Sequence, residues 1–205
     1  MAYLEFRNIH LKFDERLIFS GFNLAIEQSE KVLFCAPSGR GKTSLVKMLL
    51  GFVVPDQGEI SVAGVTLTGE TVNSIRSKIT YVSQDADIPK GIVSEVFAAV
   101  FKFQVNRRLN YQETVLSDWL ETMSLPQDTL GKNVDALSGG ERQRLALILG
   151  ILLDRDIWIL DEITTGLDHT LKIQIVELLL GYDKTILVVS HDDIYLNRGL
   201  REVSW

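Results

Sequence analysis

Residues 36 to 43, APSGRGKT, place glycines, a lysine and a hydroxyl in the order used by phosphate-binding loops. Glycines let backbone N–H groups converge on phosphate oxygens, and the start of a following helix adds partial positive charge. The usual pattern is G-x-x-x-x-G-K-[ST], and Ala36 stands in place of its first glycine. Alanine is compatible with this position if its backbone has negative φ. We predict a nucleotide site made by Ser38, Gly39, Arg40, Gly41, Lys42, Thr43 and Ser44.

Two adjacent acids, Asp161 and Glu162, end the apolar segment ILDE. A carboxylate that leaves a buried strand beside a phosphate loop can orient magnesium through water, and we assign this role to Asp161. Glu162 can then polarise an attacking water. Taken alone, such a pair is more simply interpreted as solvated loop residues. The phosphate loop in the same chain favours a site for magnesium and a nucleotide.

The segment LSGGERQR, which begins at Leu137, indicates a second anion site. Ser138 can cap the helix that follows, while Gly139 and Gly140 leave the N–H groups of its first turn unobstructed. Each glycine costs a helix up to about 1 kcal/mol relative to alanine. Contact with an anion explains two glycines at a helix start better than a purely structural role does.

Several strands and helices must position these residues. Four short apolar runs rich in β-branched residues lack polar alternation, which is typical of parallel strands covered on both faces. Helical patterns lie between them, so we expect a layered α/β fold. The runs are KVLFCA from Lys31, KITYVS from Lys78, DIWILD from Asp156 and TILVVS from Thr185.

The remaining segments predict a smaller sheet and a helical insert. Alternating polarity in YLEFRNIHLKF and EISVAGVTL predicts an antiparallel sheet beside the parallel one. GKTSLVKMLLG predicts a helix that ends at Gly51. Helical patterns from about 92 to 125 predict an all-helical insert. We therefore expect one domain over 1–205, with a core of 1–84 and 137–205 and a helical subdomain of 85–136.

The composition limits the class of protein, its partners and its compartment. Apolar residues make up 46% of the 205 residues, and charged residues make up 23%, as in soluble globular proteins. The net charge of −6 argues against a nucleic-acid partner. A single cysteine, Cys35, excludes an internal disulfide and favours a reducing compartment. With no signal peptide and no apolar stretch near the roughly 20 residues of a membrane span, we expect a cytoplasmic protein.

These motifs together resemble those of ATP-binding cassette (ABC) proteins over nearly the whole chain. LSGGERQR is similar to the family's signature motif, and it lies between the phosphate loop and ILDE, as in that family. Gln84 resembles the family's Q-loop, and TTGLD at 164–168 resembles its D-loop. SHD at 190–192 resembles the segment of its switch histidine. PKGIVSEV at 89–96 resembles the stretch that leads into its helical subdomain.

The resemblance implies a P-loop NTPase that hydrolyses ATP with magnesium. For ATP bound to the same chain, the resemblance implies that Lys42 contacts the phosphates and that Thr43, Gln84 and Asp161 hold magnesium. Glu162 would be the general base and His191 would contact the γ-phosphate. Phe13 would stack on adenine. In that family the signature of one subunit faces the phosphate loop of another. Ser138, Gly139 and Gly140 would therefore complete the site of a second copy, and Asp168 would help to seal the homodimer.

The resemblance also implies a role in transport. We expect the energising subunit of a transporter, held on the cytoplasmic face of the membrane by a separate multi-span permease. The chain resembles short bacterial cassettes paired with small permeases, including ones linked to metal-ion export. The alternative is a soluble ABC ATPase that drives a cytoplasmic assembly such as iron-sulfur cluster construction. A non-catalytic binding module would lack Glu162 or His191, and both are present.

Two segments depart from the family pattern. LALILGILLD replaces the common alanine-arginine-alanine step after the signature, and the more apolar face around Ile148, Leu149 and Gly150 predicts altered packing there. TTGLD replaces the commoner serine-alanine form of the D-loop, so dimer contacts would differ in detail. From the short stretch between His191 and Trp205, we expect no regulatory domain after the switch histidine.

Overall fold

The computed structural model of the protein describes residues 2–35 and 40–205. Its strands form a five-stranded sheet and a four-stranded sheet. The strands are β1 (Leu4–Phe13), β2 (Arg16–Ile26), β3 (Lys31–Phe34), β4 (Gln57–Val62), β5 (Val65–Thr66), β6 (Ile79–Val82), β7 (Ile157–Asp161), β8 (Thr185–Val189) and β9 (Arg201–Val203).

Six α-helices and four short 3₁₀ turns connect the strands within the described residues. The helices are α1 (Lys42–Leu49), α2 (Val72–Arg76), α3 (Val93–Lys102), α4 (Glu113–Thr122), α5 (Gly139–Leu152) and α6 (His169–Leu180). The 3₁₀ turns are Gln104–Asn106, Gln127–Gly131, Val134–Ala136 and Asp193–Tyr195. No helix of the two described ranges has the length and apolar character needed to cross a bilayer.

The five-stranded sheet is parallel, with the order β6-β7-β8-β3-β9. The four apolar runs form β3, β6, β7 and β8, which confirms the predicted parallel strands. All five residues of β8 are buried because helices and the second sheet cover both faces. The residue pattern does not predict β9, since this edge strand has only three residues, of which Arg201 and Glu202 are charged and exposed.

The four-stranded sheet is antiparallel, with the order β2-β1-β4-β5. It confirms the small sheet expected from the alternating segments now seen as β1 and β4. The residue pattern does not predict β2, because Gly21 at φ 69° and register shifts along the β1–β2 pair interrupt its alternation. β2 nevertheless contributes the buried side chains of Phe19, Leu24 and Ile26.

A bulge between β1 and β4 depends on Gly58. This residue has φ 96°, and a Cβ there would lie 2.4 Å from the carbonyl oxygen of Asn8 and 2.5 Å from that of Arg7. Both distances are far inside van der Waals contact with rigid backbone. Only glycine fits this position.

We expect Gly58→Ala to lower the free energy of unfolding by about 2 kcal/mol or more, from backbone strain plus steric overlap. Urea denaturation of the wild-type and variant proteins measures the difference. Gly64→Ala is the matched control, because Gly64 has φ 76° with nothing within 4 Å of a Cβ. It isolates the cost of positive φ, about 1 kcal/mol. Equal losses in the two variants would contradict the steric part of the expectation.

Two hydrophobic clusters cover opposite faces of the parallel sheet. One contains the apolar faces of α3, α4 and α5, including Phe97, Leu116 and Ile148. The other joins the antiparallel sheet to α1. Helices α3 and α4 confirm the helical pattern of residues 92–125, whereas the proposed subdomain boundaries at 85 and 136 stay a prediction.

Close packing of α5 on the sheet accounts for Gly150. A Cβ on Gly150 would lie 2.9 Å from Cγ2 of Thr80 and 3.2 Å from Cγ2 of Val82. Glycine therefore allows α5 to approach β6 more closely than a larger residue would. Whether this packing differs from that of the family, as LALILGILLD predicts, stays a prediction.

Candidate nucleotide-binding site

A cavity of about 510 Å³ opens at the carboxyl edge of the parallel sheet. The ends of β7 and β8, the start of α1 and the turn between β1 and β2 surround it. Nine residues proposed from the sequence line this cavity, namely Phe13, Gly41, Lys42, Thr43, Ser44, Gln84, Asp161, Glu162 and His191. Arg16, Ile18 and Val189 complete its lining.

The phosphate-loop segment connects β3 to α1, as the sequence predicts. Gly41 caps α1 with φ 96°, and a Cβ there would lie 2.6 Å from Cγ2 of Ile18. A glycine is therefore needed for the loop to pack against β2. Arg40 is exposed on the loop. Ala36, Ser38 and Gly39 lie outside the described residues.

Lys42 and His191 come together in the cavity, although 149 positions separate them in the chain. The Lys42 Nζ atom lies 3.0 Å from Nε2 of His191. A lysine ammonium has only donors, so Nε2 acts as the acceptor in this hydrogen bond. Lys42 is 8% exposed, which strengthens its electrostatic interactions with any anion in the cavity.

Asp161, the last residue of β7, accepts a hydrogen bond from Tyr81. The Tyr81 hydroxyl lies 3.1 Å from Oδ2 of Asp161. Burial raises the pKa of Asp161, and this effect outweighs the lowering by the Tyr81 hydrogen bond and by the charge of Lys42. Burial and the Asp161 charge in turn raise the pKa of Tyr81, so its hydroxyl stays a donor.

Glu162 has a left-handed backbone conformation, with φ 49°. Its N–H donates to the carbonyl oxygen of Val189 at 2.8 Å, and its Oε2 accepts from the Ser190 hydroxyl at 3.3 Å. Positive φ in a residue other than glycine costs free energy and concentrates at functional sites. Both contacts hold Glu162 beside the end of β8, where His191 follows.

Phe13 and Arg16 form the wall opposite the sheet. Phe13 ends β1 and is 46% exposed, so its ring faces the cavity and solvent and not a core. This location fits the stacking role that the resemblance implies. Arg16 adds a positive charge to the same wall. The residue pattern does not point to Arg16, since a single arginine at a strand start is ordinary.

The turn that carries His191 is tied to α6. The Lys172 ammonium donates to Oδ2 of Asp192 at 2.6 Å, and the Thr164 hydroxyl donates to the same oxygen at 3.0 Å. Burial alone would raise the pKa of Asp192, but the hydrogen bonds from Lys172, the Ile194 amide and Thr164 lower it below its usual value. Lys172 carries no recognisable sequence signal, because its partner is distant along the chain.

The signature segment lies outside this cavity. Ser138 begins α5 in a complete capping box, in which its Oγ accepts from the Glu141 N–H and the Glu141 carboxylate accepts from the Ser138 N–H at 2.8 Å. Ser138 and Gly139 are exposed, and Gly140 is half-buried. Asp168 is also outside the cavity and caps α6, with Oδ1 3.0 Å from the Leu171 nitrogen.

We expect Ser138→Ala to lower the free energy of unfolding by about 1 kcal/mol, because the cap of α5 is lost. Thermal or urea unfolding of the nucleotide-free protein measures this change. Ser138→Asn is the matched control, since asparagine caps helices as well as serine does. A loss with asparagine as large as the loss with alanine would contradict the capping explanation.

A family model described as ABC transporter matches residues 19–165. The "Transport/processing ATP-binding protein ComA" of Streptococcus pneumoniae is 34% identical over 92% of this chain and 27% of its own length. The "Energy-coupling factor transporter ATP-binding protein EcfA1" of Leuconostoc mesenteroides is 34% identical over 90% of this chain and 70% of its own length.

The fold has close structural counterparts. A structure described as a bacterial Atm1-family ABC exporter with ATP bound aligns with a TM-score of 0.79 at 22% identity, covering 93% of this chain and 35% of that one. The chain thus spans about a quarter of ComA and a third of the exporter. The parallel core, antiparallel sheet and helical insert confirm the predicted P-loop NTPase fold. Together with the relatives at 34% identity, the matched residues 19–165 show that the chain belongs to the ABC transporter family.

Proposed function

We propose that the protein binds ATP with magnesium and hydrolyses it to energise transport through a separate permease. One observation carries this proposal. A single cavity joins the lysine at the start of α1, two acids after a buried strand and a histidine after the neighbouring strand. This combination provides positive charge for phosphates, oxygen ligands for a metal ion and a base for water.

The described residues fit magnesium shared with a nucleotide. Thr43, Gln84 and Asp161 offer a hydroxyl, an amide oxygen and a carboxylate, which are the hard ligands that magnesium prefers. Among residues 2–35 and 40–205, no group of three or more His, Cys, Asp or Glu could hold a metal. We therefore assign the remaining ligands to phosphate oxygens and water. Bound magnesium would neutralise phosphate charge.

Hydrolysis would then depend on positioning and charge. Lys42 and loop N–H groups hold the β- and γ-phosphates. The Glu162 carboxylate accepts a proton from water as the water oxygen bonds to the γ-phosphorus in line with the breaking bond to the β–γ bridging oxygen. His191 contacts the γ-phosphate, to which it would donate once the phosphate takes the place of its contact with Lys42. The Lys42–His191 contact places both groups where the phosphates must enter.

A second copy would complete the site. Ser138, Gly139, Gly140 and Asp168 do not line the cavity of their own chain, and Ser138, Gly139 and Asp168 are exposed. The capped start of α5 presents N–H groups suited to an anion. In our proposal, two copies enclose two ATP molecules, with α5 of each copy facing the phosphate loop of the other.

The proposed partner is a multi-span permease, which would hold the protein on the cytoplasmic face of the membrane. EcfA1, whose name assigns it to a transporter, supports this partner because the present chain covers 70% of its length. ComA and EcfA1 are equally identical to the chain yet differ in their named systems. This level of identity selects no cargo, and we propose none.

Phosphate release from ATP by the purified protein tests the ATPase proposal. We expect release that requires magnesium and stops when EDTA is added. Nucleotide binding without release in every condition would contradict hydrolysis. Purification of the tagged protein from detergent-solubilised cells tests the transport proposal, which predicts recovery of a multi-span protein. Recovery of soluble assembly factors alone would instead support a soluble ATPase, such as one for iron-sulfur cluster construction.

A further inference from the structure

Trp205 contacts the backbone of the phosphate-loop segment. Its indole Nε1–H donates to the carbonyl oxygen of Arg40 at 2.7 Å. Arg40 immediately precedes Gly41 and Lys42, which line the cavity. Trp205 itself does not line the cavity, so any effect it has on a nucleotide is indirect.

The Trp205 ring belongs to an aromatic cluster that fixes its position. Its centroid lies 5.9 Å from that of Phe19, 5.4 Å from that of Phe22 and 5.5 Å from that of Phe34. Phe19 and Phe22 belong to β2, and Phe34 ends β3. The indole is therefore held by both sheets, and its N–H has a defined direction.

These contacts lie on both sides of the phosphate-loop segment. Phe34 precedes the loop and Arg40 ends it, and both contact Trp205. The Cys35 N–H also donates to the carbonyl oxygen of Val203 at 2.9 Å. The stretch 203–205 thus connects the strand before the loop with Arg40 in the loop.

We propose that Trp205 is a positioning residue for the phosphate-binding loop. The peptide unit between Arg40 and Gly41 is planar, so a hydrogen bond that holds the Arg40 C=O also sets the direction of the Gly41 N–H. That N–H lies at the start of α1, where backbone donors meet phosphate. Trp205 thereby orients a phosphate donor before ATP arrives. This inference rests on the proposed ATP site.

Trp205→Phe tests the role of the N–H, because phenylalanine keeps an aromatic ring and removes the donor. We expect the dissociation constant for MgATP, measured by calorimetry, to rise about threefold to tenfold through loss of one hydrogen bond. Trp119→Phe is the matched control, since Trp119 lies on α4, is half-buried like Trp205 and does not line the cavity. Its affinity should equal that of the wild-type protein.

Binding of inorganic tripolyphosphate tests whether the Trp205→Phe variant is impaired in its phosphate contacts. It has phosphates but no adenine, so Trp205→Phe should raise the dissociation constant for tripolyphosphate, measured by direct calorimetric titration, by a factor similar to that for MgATP. Phe13→Ala should raise the dissociation constant for MgATP and leave that for tripolyphosphate unchanged. Equal MgATP affinity in Trp205→Phe and wild-type protein would overturn the inference. A wild-type protein that binds no MgATP would instead overturn the proposed ATP site.

If Trp205→Phe fails to fold, NMR of the wild-type protein still tests whether the Trp205 indole responds to nucleotide. The sequence has three tryptophans, each with an indole N–H that ¹H–¹⁵N NMR can follow. We expect saturating MgATP to shift the Trp205 indole resonance and to leave that of buried Trp158 in place. An unchanged Trp205 resonance would contradict coupling between the indole and the phosphate loop.

Discussion

Glu162→Gln is expected to bind MgATP with wild-type affinity and to hydrolyse it at least about 100-fold more slowly. Glutamine retains the shape of the side chain, and its amide can still contact the Ser190 hydroxyl. It cannot accept the proton of the attacking water, so loss of the general base affects turnover and not binding. Phosphate release under saturating MgATP and equilibrium binding of MgATP measure the two quantities separately.

The matched control for this variant is Glu121→Gln. Glu121 lies exposed on α4 and loses the same charge without touching the cavity. Its turnover should equal that of the wild-type protein. Turnover near the wild-type rate in Glu162→Gln would remove Glu162 from the role of base.

Lys42→Ala is expected to weaken MgATP binding by about 100-fold, the loss typical of removing one partner from a buried charge contact. Lys42 is almost fully buried at the cavity wall, where few other groups supply positive charge. Alanine leaves the backbone of α1 intact, because alanine is a strong helix former. Calorimetric titration with MgATP or MgADP measures the change in affinity.

Lys47→Ala provides the comparison within the same helix. Lys47 is exposed in the last turn of α1 and does not line the cavity. Its loss should leave nucleotide affinity unchanged and alter stability only slightly. An affinity of Lys42→Ala equal to that of Lys47→Ala would count against the phosphate-loop assignment.

Much of the parallel sheet could be predicted because burial on both faces leaves a strong sequence pattern. β7 and β8 have continuous apolar runs, and polar residues follow where each strand ends. Parallel strands place their carboxyl ends along one edge, so the sequence also predicts that Asp161, Glu162 and His191 meet there. β2 and β9 escape prediction because a bulge interrupts one and charged side chains dominate the other.

Contacts between residues far apart in the chain could not be predicted from the sequence pattern. Tyr81 with Asp161, Lys172 with Asp192 and Trp205 with Arg40 depend on how elements pack. A sequence pattern records periodicity along the chain, whereas these pairs join segments 20 to 165 positions apart. The Ser138 cap could be predicted because its partners are local.

The strands β7 and β8 of the parallel sheet contribute side chains to both hydrophobic clusters. In β7, Trp158 and Leu160 pack with the helical insert, whereas Ile157 and Ile159 pack with the antiparallel sheet. β8 alternates in the same way. The backbone that presents Asp161 and Glu162 is therefore stabilised by packing on both faces of the sheet. Unfolding of either hydrophobic cluster would weaken the packing of β7. Substitutions deep in either half of the molecule can consequently impair turnover through cooperative weakening of this shared scaffold, without touching a nucleotide.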